Sequence, residues 1–106
     1  MLVITLICNL GMSTSMLVDK MAEYAKKKGV EADVEAKAFQ RIDDRVHKTD
    51  ILLVGPQIRH LTKKFQAQYG GEVPVIETMN MSDYALVKAD KIFESAYAAY
   101  LEKTKK

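Results

Sequence analysis

Two runs of apolar residues, each followed at once by a turn and a helical pattern, constrain the fold of this chain most strongly. Residues 2–7 are apolar except for Thr5 and rich in branched side chains. Residues 50–54 form a second run, in which Asp50 is followed by four apolar residues. A run that is apolar on both faces is typical of a strand covered by helices on both sides of a parallel sheet. We therefore place both runs in the middle of an open, mostly parallel sheet.

Two further runs have the features of edge strands. Residues 30–38 alternate apolar and charged side chains, as expected for a half-exposed strand. Residues 73–78 contain Pro74, which has no N–H to donate to a neighbouring strand. With right-handed crossovers, these features predict the strand order 2-1-3-4, in which the chain reverses direction between strands 1 and 3.

Helical patterns connect these strands. Apolar spacing predicts a first helix from about Met16 to a stop at Gly29. A second helix opens at Pro56 and closes at Gly70 and Gly71. Both helices return the chain from the carboxyl end of one strand to the start of the next.

The remaining segments complete the chain. Residues 41–48 support only a short helix or a turn, and residues 79–84 are interpreted as a loop. One long amphipathic helix is predicted over residues 85–103, capped by Ser82 or Asp83. At 106 residues and 48% hydrophobic content, the sequence predicts one α/β domain over residues 1–106, a three-layer open sandwich with helices on both faces of a four-stranded parallel sheet.

The only cysteine, Cys8, lies on the turn from the first strand into the first helix. Backbone N–H groups in such a turn, together with the positive end of the helix dipole, favour a phosphate-sized anion and the thiolate form of a cysteine. A small buried core residue is the alternative interpretation of Cys8. The predicted phosphate-binding loop consists of Cys8, Asn9, Leu10, Gly11, Met12, Ser13, Thr14 and Ser15.

A second turn is predicted to reach the same place. Gly55, Pro56 and Gln57 follow the other central strand, so they arrive at the carboxyl rim of the sheet beside Cys8. Ligands of open α/β sheets bind at this rim, next to the point where the strand order reverses. We therefore predict that all three residues support the site. The alternative for Gln57 is a turn residue whose side chain bonds to its own backbone.

The loop lacks one residue that a hydrolase would need. Phosphatases of the low-molecular-weight fold carry an arginine six residues after their cysteine, and this chain has Thr14 there. Such an arginine accelerates phosphoryl transfer by a factor of about 10³ to 10⁵. Storage and transfer of a phosphoryl group therefore fit the loop better than hydrolysis. A phosphatase-like thiol hydrolase, or a flavodoxin-like module that binds a phosphorylated small molecule, is the alternative.

Composition and charge exclude several other classes. The net charge is only +2, and no basic patch with interleaved aromatic residues predicts nucleic-acid binding. One cysteine forms no internal disulfide, and His47 and His60 have no ligand-spaced companion, so we expect no metal site and no cofactor and read both histidines as surface residues. No apolar run is long enough to span a bilayer, and we expect a cytoplasmic protein.

The cysteine loop, in the form Cys-x-x-Gly-Met-Ser-Thr-Ser, together with the downstream Gly55-Pro56-Gln57-Ile58, resembles the enzyme IIB component of the lactose/cellobiose branch of the bacterial sugar phosphotransferase system. The resemblance covers nearly the whole chain. The loop is more similar to cellobiose- and chitobiose-type members than to lactose-type ones. The resemblance implies a fold similar to low-molecular-weight tyrosine phosphatases and flavodoxin-like proteins.

The resemblance also implies roles and partners. Cys8 would be a phosphocysteine that takes phosphate from a phosphohistidine of enzyme IIA and passes it to a sugar held by the membrane component, enzyme IIC. That sugar would be a β-linked disaccharide such as cellobiose or diacetylchitobiose, or lactose. The protein would meet the inner face of the membrane transiently, through enzyme IIC, without inserting into it.

Two further interpretations concern the surroundings of the thiol. Tyr84 falls where the family often has a tyrosine beside the site, although Ala85 and Ala89 replace the glycines that usually follow it. Alternatively, Tyr84 covers the end of the last helix. Three apolar residues flank the thiol and are interpreted as a rim on which partners dock. The alternative is that some of them are buried in the core. The three residues are Leu10, Met12 and Met16.

Overall fold

A four-stranded parallel sheet forms the centre of the computed structural model, which describes residues 1–8 and 15–105. The strands are β1 (Leu2–Cys8), β2 (Ala32–Ala38), β3 (Ile51–Val54) and β4 (Val75–Thr78). Their order is β2-β1-β3-β4, and every neighbouring pair is parallel. The predicted sheet order is confirmed, with the two apolar strands in the centre and the alternating and proline-flanked strands at the edges.

Helices cover both faces of this sheet. On one face lie α1 (Ser15–Lys27), α3 (Met81–Ala85) and α4 (Ala89–Thr104), with Leu6 and Phe93 in the core between them and the sheet. On the other face, α2 (Thr62–Tyr69) and three 3₁₀ segments pack on a second core. The 3₁₀ segments are Phe39–Asp44, Val46–Lys48 and Pro56–Leu61. The predicted three-layer sandwich is therefore confirmed.

The end of α1 follows its sequence signal. Gly29 adopts a φ of +77°, a left-handed conformation that glycine reaches without a Cβ clash. Its N–H donates to the carbonyl oxygen of Lys26, and the N–H of Val30 donates to that of Ala25. These bonds satisfy carbonyl groups at the end of the helix, as a C-terminal glycine motif does.

The prediction for the last helix was wrong in two respects. Residues 81–85 form α3 rather than a loop, and the side chain of Asn80 caps it by accepting the N–H of Asp83 at 3.0 Å. Ser82 and Asp83 therefore lie inside α3 and do not cap α4. Val87 separates the two helices with a φ of +52°, a conformation that branched side chains rarely adopt.

A buried arginine ties the 3₁₀ segments to the edge strand β2. Arg45 is 4% exposed. Its Nε donates to Thr5 Oγ1 at 2.9 Å, and its Nη1 donates to Glu35 at 2.6 Å and to Asp33 at 3.4 Å. Its Nη2 donates to the carbonyl oxygens of Ile4 and Asp33. The charged face of β2 is thus partly covered by a guanidinium group, which the alternating pattern alone did not predict.

We predict that Arg45→Ala lowers the free energy of unfolding by about 2 to 3 kcal/mol, because buried acceptors lose their donors and the edge carboxylates lose their cation. Urea denaturation measures this change. The control is Arg41→Ala, which removes an exposed ion pair with Asp44 at 2.8 Å and should cost less than about 0.5 kcal/mol. Equal losses in the two variants would contradict the structural role of Arg45.

Candidate functional site

Cys8 is the last residue of the central strand β1. Its side chain is 3% exposed, and its thiol lies 4.0 Å from the carbonyl oxygen of Lys37, a long contact to the neighbouring strand. In the sheet register Cys8 is opposite Ala38, the last residue of β2. The sulfur is therefore fixed at the carboxyl rim of the sheet by a strand that is paired on both sides.

The Gly55 turn packs directly against the backbone of Cys8. The N–H of Gly55 donates to the carbonyl oxygen of Ile7 at 2.8 Å. A Cβ on Gly55 would lie 3.3 Å from that oxygen and 3.7 Å from the Cα of Cys8. Because φ of Gly55 is −60°, which any residue adopts, glycine is favoured here by lack of space and not by backbone conformation. Cys8 and Gly55 lie together, as the sequence predicted.

Pro56 and Gln57 continue from this contact. Pro56 is buried at the first position of the 3₁₀ segment Pro56–Leu61, where its missing N–H costs little. Gln57 is exposed, and its Oε1 lies 3.4 Å from the position of a Cβ on Gly55. The amide group of Gln57 thus lies over the turn that touches Cys8. Its contact with a phosphoryl group stays a prediction.

The helix that follows the cysteine begins at Ser15, which is exposed. Helices of a parallel sheet run opposite to the strands, so the start of α1, the positive end of its dipole, lies at the same rim as Cys8. Between the two lie Asn9, Leu10, Gly11, Met12, Ser13 and Thr14, which are outside the described residues. Their phosphate-binding role, and that of Ser15, stays a prediction.

Two other residues singled out from the sequence lie on the α1 and α4 side of the sheet. Tyr84 belongs to α3 and is half-buried against the core beneath α1 and α4. A role beside the thiol stays a prediction for Tyr84. Met16 is 58% exposed in the first turn of α1, so the core alternative is wrong for this residue. An exposed methionine next to the loop fits the predicted apolar rim.

The histidines lie on the surface, as predicted. His47 Nδ1 is 2.7 Å from Glu72 Oε1, a pairing between residues far apart in sequence that the sequence analysis missed. Across residues 1–8 and 15–105, no group of three or more histidine, cysteine or acidic side chains is arranged to hold a metal ion. The same residues include no helix with the length and apolar character needed to cross a bilayer.

Three basic side chains on this side of the molecule were not singled out from the sequence, and we call them the rim cations: Arg59, Lys63 and Lys64. All three are exposed. The sequence carried no signal for this position, because the predicted second helix begins at Pro56, and only the structure starts α2 at Thr62.

A family match covers most of the chain. Residues 3–95 match the family described as "PTS system, Lactose/Cellobiose specific IIB subunit". The chain belongs to this family. IIB components are phosphotransferases of sugar uptake that transfer phosphate to the sugar, and this IIB chain is one of them.

Curated relatives agree along almost the whole chain. The oligo-beta-mannoside-specific EIIB component of Bacillus subtilis (strain 168) is 36% identical over 93 residues, covering 88% of this chain and 90% of the relative. The cellobiose-specific EIIB component of Lactococcus lactis subsp. lactis (strain IL1403) is 36% identical over 101 residues, covering 89% and 92%. The galactose-specific EIIB component of Lactococcus lactis subsp. cremoris (strain MG1363) matches at the same identity and coverage.

Solved structures agree as well. The cellobiose-specific IIB component from Borrelia burgdorferi superposes with a TM-score of 0.77 at 35% identity, covering 96% of this IIB chain and 94% of that one. The lactose-specific IIB domain from Streptococcus pneumoniae gives a TM-score of 0.80 at 15% identity, covering 93% and 97%. The second likeness is one of fold, and it extends the sheet topology described above to a lactose-specific relative.

We predict that Gly55→Ala destabilises this IIB chain by about 1 to 3 kcal/mol, because the new methyl group presses on Ile7 and the backbone of Cys8. Urea denaturation tests this, and the rate of thiol modification reports whether Cys8 has moved. The matched control is Gly71→Ala, where nothing lies within 4 Å of the added methyl group. The control should stay within about 0.5 kcal/mol of wild type. An undisturbed Gly55→Ala protein would contradict the close contact.

Proposed function

We propose that Cys8 is the phosphoryl carrier of this IIB component. It takes the group from a phosphohistidine of enzyme IIA and passes it to a sugar held by the membrane component, enzyme IIC. One observation carries the proposal, namely that the only cysteine of the chain ends a central strand at the rim where the N–H of Gly55 donates to the carbonyl oxygen of Ile7, the residue before the cysteine. This rim, beside the reversal of strand order, is where open α/β sheets bind ligands.

The two transfers balance as simple displacements at phosphorus. In the first, the Cys8 thiolate attacks phosphorus, an S–P bond forms and the N–P bond breaks, and the imidazole nitrogen keeps the electron pair and takes up a proton. In the second, a sugar hydroxyl oxygen attacks phosphorus, the S–P bond breaks, and sulfur leaves as thiolate while the hydroxyl proton goes to a base or to solvent. Neither step requires a cofactor or a metal.

Backbone N–H groups are proposed to hold the phosphoryl oxygens during both steps. Residues 9–14 precede α1, whose first residue is Ser15. Unsatisfied N–H groups and the dipole at a helix start stabilise negative charge on a phosphoryl group. Gln57 is proposed to add a side-chain donor from the opposite turn, because its amide lies over Gly55.

The names of the relatives support a choice of sugar class. Those relatives are specific for oligo-beta-mannosides, for cellobiose and for galactose. We propose a β-linked disaccharide, such as cellobiose or diacetylchitobiose, or lactose, as the sugar phosphorylated through this chain. Because enzyme IIC holds the sugar, the protein is proposed to act in the cytoplasm at the inner face of the membrane.

We predict that incubation with phosphorylated enzyme IIA adds one phosphoryl group to the protein, measured as intact mass. Cys8→Ser should abolish this addition, since a serine hydroxyl is a far weaker nucleophile than a thiolate at neutral pH. A thermal melt of the variant serves as the folding control. Phosphorylation of a folded Cys8→Ser protein at the wild-type rate would overturn the assignment.

A further prediction separates a carrier from a hydrolase. The phosphoprotein should persist at neutral pH when isolated, because Thr14 stands where an arginine would clamp the transferring group. Its decay should accelerate only when membranes containing enzyme IIC and the sugar are both added, and Thr14→Arg should shorten its lifetime. Loss of the group within seconds, with release of free phosphate, would instead support the phosphatase-like alternative.

A further inference from the structure

The rim cations lie on the surface that continues from the Gly55 turn. The 3₁₀ segment Pro56–Leu61 carries Arg59 and leads into α2, whose second and third residues are Lys63 and Lys64. A hydrogen bond of 2.7 Å between the hydroxyl groups of Thr62 and Thr78 attaches the start of α2 to the carboxyl end of β4. The rim cations therefore lie on the same rim of the sheet as Cys8.

The charge of these side chains is not compensated nearby. Within residues 1–8 and 15–105, none of the three has a carboxylate within 4.0 Å of its charged nitrogens. The one contact recorded for Arg59 is a long hydrogen bond of 3.5 Å to the carbonyl oxygen of Pro56. Three exposed cations without an ion pair in this part of the chain produce a positive potential on the β4 side of the rim.

Helix stability does not explain the positions of Lys63 and Lys64. They occupy the first turn of α2, which contains no acidic residue and no side-chain cap. The positive end of a helix dipole disfavours cations at this end. Lys26 and Lys27, by contrast, lie in the last turn of α1, where the dipole favours them. The first turn of α2 therefore gives the rim lysines no acidic neighbour to stabilise them.

We propose that the rim cations attract phosphorylated enzyme IIA, through its phosphoryl group and acidic side chains around it, and guide it onto Cys8. This inference rests on the proposed function. A phosphoryl group carries roughly −1.5 to −2 charges near neutral pH, so the phosphorylated donor is the form that a positive rim selects. Complementary charge of this kind acts mainly on the rate of association.

The same cations favour release of the spent donor. After transfer, the negative charge resides on Cys8, on the same rim as the cations, and offsets part of the potential that attracted the donor. The dephosphorylated donor has lost that charge and is held less tightly. The sugar that accepts the group in the second step is neutral, so the rim cations do not attract it to phosphorylated Cys8.

The test is a charge reversal with a matched control. In Lys63→Glu/Lys64→Glu, the rate constant for phosphorylation of Cys8 by limiting phosphorylated enzyme IIA should fall roughly tenfold at low ionic strength. Its dependence on salt should become flatter than that of wild type. The melting temperature should not fall, because glutamate suits the first turn of a helix.

The control is Lys26→Glu/Lys27→Glu, which makes the same change in net charge at the opposite end of the molecule. It should accept the phosphoryl group at close to the wild-type rate. Equal slowing in both double variants would show that only net charge matters and would overturn the inference. Wild-type rates in both would also overturn it, while leaving the carrier role of Cys8 intact.

Two further measurements distinguish other partners. Transfer from preformed phosphocysteine to the sugar, with membranes containing enzyme IIC, should be unchanged in Lys63→Glu/Lys64→Glu. Slowing confined to that step would assign the cations to enzyme IIC and overturn the inference. Binding to phosphatidylglycerol/phosphatidylcholine vesicles is measured by cosedimentation. If Lys63→Glu/Lys64→Glu loses this binding, the control variant keeps it, and the rate of phosphorylation by enzyme IIA is unchanged, the cations bind a membrane and the inference is overturned. If wild type accepts no phosphoryl group at all, the proposed function fails as well.

Discussion

The pairing of β1 with a parallel strand on each side is the constraint on which the rest of the structure depends. Residues 2–8 pair with β2, and residues 4–7 also pair with β3. Because helices cover both faces of the sheet, this central strand is apolar on both faces, and its pairing with β2 extends to Cys8. The cysteine therefore lies at the end of a strand that is paired on both sides, which places its sulfur at the rim.

Much of this arrangement was predictable because it depends on local chemistry. Apolar character on both faces identified the central strands, and Pro74 identified an edge. The meeting of Cys8 and Gly55 followed from topology, since parallel central strands end at the same rim. What the sequence did not predict is why residue 55 is a glycine. The 3.3 Å approach of its Cβ position to Ile7 belongs to the packed structure and leaves no local pattern.

The predictions that were wrong or incomplete, for the last helix and for the exposed face of β2, have a common physical origin. In both cases, contacts made in the folded chain override the structure that the local sequence pattern favours. Apolar spacing continues through residues 85–103, yet Val87 adopts a left-handed conformation and divides the helix. Val87 packs against the core, and the N–H of Lys88 donates to the carbonyl oxygen of Asp83 at 2.8 Å. Likewise, the alternation of β2 predicted a solvated charged face, whereas Arg45, from a distant segment, covers part of it. Such pairings are visible only after the chain has folded.

Two kinds of interaction at the rim act over different ranges. The contact between Gly55 and the backbone of Cys8 works at a few ångströms, and any change there also disturbs the sheet that supports it. The charge of the rim cations acts over about 8 to 10 Å at moderate salt, and none of these side chains is buried. Position and attraction are therefore supplied by separate residues. In the proposed carrier role, this separation lets the surface charge that meets the partners vary without moving the sulfur that would hold the phosphoryl group.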